Sequence, residues 1–330
     1  SSPTWLNNIA IPTNHLLVQR YPKQVDIKPT TDLSYLAAKI DMSKYPPPLE
    51  KPPVDHPEIQ KVMKDIDWTK VPNIAPRKVN NFVLDRSEYN TKEDPDCWWS
   101  ITTCKHPKVN YLPDDVYYCP RAGDWGLNYD DGPYKNWYPV SVQDKAFDQP
   151  RFYNYLLKNG NQKATLFFVG SNVIKFPDAA QRALNDGHII CSHSWSHPQM
   201  TTLTNEEVIA QLYWTLRAIK EAVGVTPKCW RPPYGDVDDR VRAIAWQMGM
   251  RTYLWDQDSF DWNLVRKKIM QMEHENSNVT IEMAERWLPV IQKTFNVMPI
   301  HECIGEAHPY WEEQWTYPTL ENPQTKKPSD

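Results

Sequence analysis

Glycine is scarce in this chain: 10 residues of 330, against 30 prolines. Average usage is about 7% glycine and about 5% proline, so the usual ratio is reversed. No P-loop, GxGxxG or GxSxG motif occurs, which removes the commonest chemistries of α/β sheets. None of the six cysteines sits in a CxxC pair, so a zinc–thiolate site is not expected. No block of Lys and Arg stands out, and 37 basic against 41 acidic side chains give a formal net charge of −4. A nucleic-acid partner would need a basic face, and that class is set aside. No stretch approaches the roughly 18 consecutive apolar residues of a membrane span. His301-Glu302 begins like HExxH, but the next histidine is His308, the wrong spacing for one helical face.

What is present fits a globular protein, with 40% hydrophobic and 24% charged residues. Tryptophan is abundant at 15; exposed indoles suit stacking on sugars, although tryptophan also fills cores. The cysteines are Cys97, Cys104, Cys119, Cys191, Cys229 and Cys303. An even count at wide spacing fits disulfides formed in an oxidising compartment. Asn278-Val279-Thr280 is the one N-glycosylation sequon, which makes Asn278 a glycosylation candidate. The chain starts at Ser1 without an apolar leader and reads as a mature or trimmed product, hence secreted or held at the cell wall.

Fifteen of the thirty prolines precede Cys119, and little sustained periodicity appears there. Residues 1–118 are therefore expected to be an irregular extension wrapping a core at 119–305, with 306–330 as a polar tail. From Trp125 short apolar runs alternate with helical patterns. Strands are expected at Trp125–Asp130, Ala164–Gly170, His188–His193, Lys228–Pro232, Arg251–Asp258, Lys268–His274 and Val297–Cys303. Helices are expected at Asp178–Asp186, Thr204–Val223, Asp238–Met248 and Thr280–Phe295. Thr204 and Glu207 form a capping box, and Gly224 closes that helix. Such alternation argues for a parallel sheet, open or closed as a barrel.

Reactive residue types collect at the C-terminal ends of these strands. Asp130-Asp131-Gly132-Pro133, His193-Ser194-Trp195-Ser196-His197-Pro198, Arg231-Pro232-Pro233-Tyr234-Gly235, Asp258-Ser259-Phe260-Asp261-Trp262 and His274-Glu275 each follow one. In α/β barrels that face is the catalytic one. Alone, the His-x3-His pair reads equally as two polar loop histidines, and Asp-Asp-Gly-Pro as an ordinary turn. Together they fit a metal centre, because Asp131 with His193 and His197 would leave an open position, the pattern of a catalytic zinc.

These segments, with Asn128-Tyr129 ahead of the first, resemble the successive motifs of the polysaccharide deacetylase (NodB-homology, carbohydrate esterase 4) family. The order is right, and the core from about Cys119 to Cys303 is covered. Asp67-Trp68, Asp94-Pro95-Asp96-Cys97-Trp98-Trp99 and Thr102-Thr103-Cys104 resemble the fungal, particularly mucoralean, chitin deacetylases. The resemblance implies a deformed (β/α)7 barrel and metal-dependent removal of N-acetyl groups from N-acetylglucosamine polymers. It implies zinc, with cobalt or nickel as rivals, on Asp131, His193 and His197, and Asp130 as general base paired with Arg231. It further implies His274 as general acid, Asp261 orienting His274, the backbone N–H of Tyr234 facing the oxyanion, and Trp262 walling the pocket. Trp137 and Tyr138, after the first strand, are candidates for sugar stacking, with Trp195 and Tyr234 also nearby. Cys97 with Cys104, and Cys119 with Cys303, are expected to pair; Cys191 and Cys229 either form a third bridge or stay as small buried residues. A monomer is expected.

The chain departs from the family pattern twice. Asn128 stands where threonine is usual, a change expected in the support of the site rather than in its ligands. Only eleven residues separate Trp262 from His274, where the family has a longer connection, which keeps His301 as a rival acid. Peptidoglycan and acetyl-xylan are rival substrates for the same machinery, and a carbohydrate-binding protein without turnover is a rival class.

Overall fold

A computed structural model describes residues 40–134, 151–259, 273–275, 278–313 and 315–321. The segment expected to be irregular carries α1 (Pro57–Asp65), a hairpin of β1 (Val79–Asn80) and β2 (Val83–Leu84), and the short α2 (Trp99–Thr102). Helix α1 is a correction to the sequence reading. His56 caps it through Nδ1, which accepts the Glu58 N–H at 3.2 Å, Pro57 occupies the first turn, and Ile59 and Val62 are buried. Proline at the first turn needs no intrahelical partner for its missing N–H.

The alternating part runs β3 (Asp124–Asp130), α3 (Arg151–Lys158), β4 (Thr165–Phe168), α4 (Gly170–Lys175), α5 (Pro177–Asn185), β5 (Ile189–Ser192) and α6 (Asn205–Val223). It continues with β6 (Cys229–Trp230), α7 (Asp239–Gln247), β7 (Arg251–Thr252), β8 (Glu273–His274), α8 (Asn278–Thr294), β9 (Asn296–Pro299) and α9 (Ile300–Cys303). The strands form the parallel α/β sheet the sequence predicts, in the order β7-β6-β5-β4-β3-β8, with β9 also on β3. The lower part of β3 pairs with β9 from Asp124↔Asn296 to Leu127↔Pro299. Its upper end pairs with β8 through Asp130↔His274. Beyond β7, Val116 makes a parallel bridge to Tyr253, and the chain three residues on is tied to the end of α9 by Cys119–Cys303.

Every residue of β4 and β5 is buried, as expected of parallel strands covered on both faces. Helix α6 is the main cover, packing on α4, α5, α7 and α1. Its predicted capping box is present, and Gly224 ends it at φ 79°. Several strands are shorter than predicted. Strand β6 stops before Pro232-Pro233, which cannot donate to a ladder, and its neighbour β7 ends with it. The last strand ends at Pro299, so His301 and Cys303 stand on α9 rather than on a strand. Residues 268–272 of the predicted sixth strand lie outside the described residues.

All six cysteines are paired: Cys97–Cys104, Cys119–Cys303 and Cys191–Cys229. The alternative left open for the last pair is thus decided as a bridge between the neighbouring strands β5 and β6. No helix among the described residues is long and apolar enough to cross a membrane.

Candidate active site

Strand β3 delivers Asp130, and the chain then turns through Asp131 at φ 75°. A left-handed backbone is unusual for a residue other than glycine; here the carboxylates on either side of that bend both approach His193 Nε2, Asp130 Oδ2 at 3.7 Å and Asp131 Oδ1 at 3.3 Å. The turn is held by Asn172 Nδ2, which donates to Asp131 O at 2.8 Å, and by the Val169 N–H, which donates to Gly132 O at 2.8 Å. Gly132 has to lack a side chain, because a Cβ there would lie 1.9 Å from Glu275 Oε1.

Strand β5 delivers His193, and the following loop brings His197 back beside it. Ser194 and His197 have φ of 66° and 60°. Gln211 of α6 secures this loop. Its Oε1 accepts the N–H groups of Trp195 and Ser196, each at 2.9 Å, and its Nε2 donates to Ser196 Oγ at 2.7 Å. Trp195 is fully buried and stacks on Tyr45 at 5.9 Å, so it belongs to the core and is removed from the sugar-stacking candidates.

Asp131 Oδ1 lies 3.3 Å from His193 Nε2 and 3.0 Å from His197 Nε2. One ligand atom from each of the three residues falls within 4.8 Å of the others. His193 Nδ1 is 2.8 Å from Arg231 O. A carbonyl only accepts, so Nδ1 carries a proton there, and the ring presents Nε2 to Asp131. Burial opposes ionisation of Asp131, but His197, His193 and His274 outweigh it and hold the carboxyl well below its usual range. Two imidazole nitrogens and an ionised carboxylate, orientated by bonds behind them, fit a zinc-type donor set.

Arg231 is fully buried and sits 4.0 Å over the Phe167 ring. Its Nη1 donates to Asp130 Oδ1 at 2.7 Å and to Asn128 Oδ1 at 2.6 Å, and its Nη2 donates to Leu254 O at 3.0 Å. Asn128 therefore supports the guanidinium, and its own Nδ2 donates to Gly126 O at 2.7 Å. Asp130 Oδ2 is left on the side of the ligand set, 3.7 Å from His193 Nε2.

His274 stands opposite Asp130 in register, with Nε2 4.0 Å from Asp131 Oδ2. His274 thus lies beside the candidate ligand set. The rival, His301, does not reach it. His301 is buried against Tyr253, 3.2 Å from its hydroxyl, and burial pushes its imidazole down to about 3. Tyr234 has φ 59°, is 52% exposed and meets the His197 ring edge-on at 4.7 Å. Behind it Gly235 leaves room for Trp99, whose ring would lie 2.2 Å from a Cβ. Asp261, Trp262, Trp137 and Tyr138 lie outside the described residues, and Asn278 is the first residue of α8.

Sequence reasoning missed Asn172, and it placed Glu275 at a strand end without giving it a role. The Glu275 N–H donates to Asp130 O at 3.1 Å. Burial, reinforced by the charges of Asp131 and Asp130, pushes its carboxyl well above the usual range. Its carboxyl packs under the turn that holds the ligands. Adjacency to His274 was the only signal in the sequence for Glu275, and nothing marked Asn172.

The family model for polysaccharide deacetylases matches residues 118–253. A chitin deacetylase of Amylomyces rouxii is 42% identical over 286 residues, which is 78% of this chain and 65% of that protein. Chitin deacetylase 2 of Cryptococcus neoformans var. grubii is 37% identical over 281 residues, 77% of this chain and 59% of that protein. The chain spans less than two thirds of the length of these relatives. The solved chitin deacetylase of Colletotrichum lindemuthianum aligns over 62% of this chain and 97% of that one, with a TM-score of 0.49 and 22% identity. Residues 118–253 are thus identified as a polysaccharide deacetylase domain, in a chain similar to fungal chitin deacetylases over about three quarters of its length.

Proposed function

We propose that this protein hydrolyses the N-acetyl groups of N-acetylglucosamine residues in chitin or its oligosaccharides, leaving acetate and free amines. The observation that carries the reading is the pairing of a His2Asp donor set with a second carboxylate, Asp130, fixed beside it by a buried arginine. A binding protein has no need of that second carboxylate. The similarity to chitin deacetylases supports chitin as the substrate, and the three disulfides support a secreted protein.

Asp131, His193 and His197 would hold zinc, with cobalt as a substitute; when bound, the ion would act as a Lewis acid on the acetyl carbonyl and lower the pKa of water there. Asp130 takes the proton of the attacking water through Oδ2, while Arg231 holds Oδ1. His274, one strand away, delivers a proton to the departing nitrogen, because an amide nitrogen leaves only when protonated. Asp261 orients His274, and the Tyr234 N–H donates to the developing oxyanion. Trp262, Trp137 and Tyr138 line the sugar sites, and Asn278 carries a glycan.

The test is acetate release from N-acetylglucosamine oligomers, with and without a chelator and added zinc. Release that stops with chelator and returns with zinc is expected. In Asp130→Asn, turnover should fall by about 10²–10⁴ while oligosaccharide binding persists. Unchanged turnover in that variant removes Asp130 as the base. No release from any oligomer removes the deacetylase reading in favour of another acetylated polymer or a binding role.

A further inference from the structure

The segment carrying the β1–β2 hairpin and α2 is joined side to side with the loops that hold His197 and Tyr234. The Arg77 N–H donates to Thr201 O at 2.8 Å. Asp236 collects four bonds: Trp98 Nε1 at 3.0 Å, Ser100 Oγ at 2.6 Å, the Thr201 N–H at 2.9 Å and Thr201 Oγ1 at 2.7 Å. This segment therefore packs beside the loops that carry His197 and Tyr234.

At the tip of the hairpin the turn is Asn81-Phe82, with φ of 48° and 64°. Two-residue hairpin turns with both central residues at positive φ usually carry Asn-Gly. Asparagine tolerates that backbone, but a bulky aromatic residue in it is strained. Among the described residues the Phe82 side chain packs on little: it is 81% exposed, beside Val83 at 71% and Val79 at 44%. The backbone of Phe82 is nevertheless fixed. Its carbonyl accepts from Gln199 Nε2 at 2.9 Å. Gln199 follows His197 by two residues, so about 7 Å of chain and one side chain separate the hairpin from a proposed metal ligand.

We propose that Phe82 is a remote sugar-stacking subsite, whose ring packs on the apolar face of a pyranose several units along the chain from the one being deacetylated. The inference rests on the proposed deacetylase reading. A β-linked N-acetylglucosamine chain extends beyond the unit being deacetylated and passes over the neighbouring surface. Its pyranose rings present flat C–H faces, which suit a rigid aromatic ring held out in solvent. Strain kept at an exposed ring, on a hairpin anchored to the catalytic loop, is explained by a ligand and not by packing.

Phe82→Ala, Phe82→Gly and Phe82→Trp in the full chain test this, by kinetics on the di- and hexasaccharide, thermal unfolding and pull-down on chitin. Phe82→Ala and Phe82→Gly should raise KM for the hexasaccharide about fivefold, with kcat and all disaccharide kinetics unchanged. Phe82→Trp should keep the wild-type KM. Phe82→Gly should unfold at or above the wild-type temperature, since glycine is unstrained at this φ; a ring needed for packing would give the opposite. An unchanged hexasaccharide KM in Phe82→Ala, or a loss shared equally by both substrates, overturns the subsite. If the wild type releases no acetate from any oligomer, the deacetylase reading fails instead. Chitin pull-down then decides the subsite separately: weaker retention of Phe82→Ala supports it, and equal retention overturns it.

Discussion

Asn128 shows how a departure from a family pattern is absorbed at the level of one residue. Its carboxamide oxygen gives Arg231 Nη1 a second acceptor beside Asp130. Hydrogen bonds to a charged group are worth about 1.5–3 kcal/mol, so Asn128→Ala should lower kcat/KM at least about tenfold by loosening the guanidinium that holds the base. Asn128→Thr should recover most of it, as steady-state kinetics will show. A second residue-scale expectation concerns pH. Buried His301 has its pKa pushed from 6.5 down to about 3. Below pH 6.5 the unfolded chain takes up a proton there while the folded one does not, so stability is lost as pH falls through that window. His301→Gln should make the denaturant midpoint fall less steeply between pH about 6.5 and the range where carboxylates titrate. Most of the candidate site was legible at this scale, because Asp130, Asp131, His193, His197 and Arg231 are chemistry-bearing types placed at strand ends. Glu275 was not, because an acidic residue after a histidine reads as surface charge. Only the fold shows that its carboxyl lies under Gly132 and takes no solvent.

Among the elements, α6 was read most accurately and the extension least. Helix α6 has apolar positions at helical spacing, a capping box and a closing glycine that all agree, and the structure follows them. Thr204→Ala removes the cap and should lower unfolding free energy by about 1 kcal/mol without changing turnover, since the cap is remote from the donor set. Helix α1 was missed because its nine residues lie among prolines, and its two buried residues, Ile59 and Val62, are too few for a periodicity. What they pack against, α6, is 140 residues later in the sequence. The strands were overrun at their ends for a related reason. An apolar run continues past the point where its neighbour stops, and the ladder ends where either partner ends, as at β6 and β7.

For the molecule as a whole, the sheet is built from consecutive parallel crossovers, and its two flanks are joined chemically rather than by strand pairing alone. Cys119 and Cys303 are 184 residues apart in sequence and 5.4 Å apart at Cα. Closing so long a loop restricts the unfolded chain strongly. Cys119→Ser with Cys303→Ser should therefore lower unfolding free energy by about 2–5 kcal/mol, measured by denaturant titration under non-reducing conditions. The expected loss from opening Cys97–Cys104, which spans only 7 residues, is smaller.

That same bridge also decides how the protein carries load. The covalent path between the two flanks runs from Cys119 to Cys303 through the two sulfur atoms and bypasses the chain between them. Every proposed ligand and the base lie inside that span. A pull from one flank to the other thus has a covalent route that avoids the strands and loops carrying the proposed ligands.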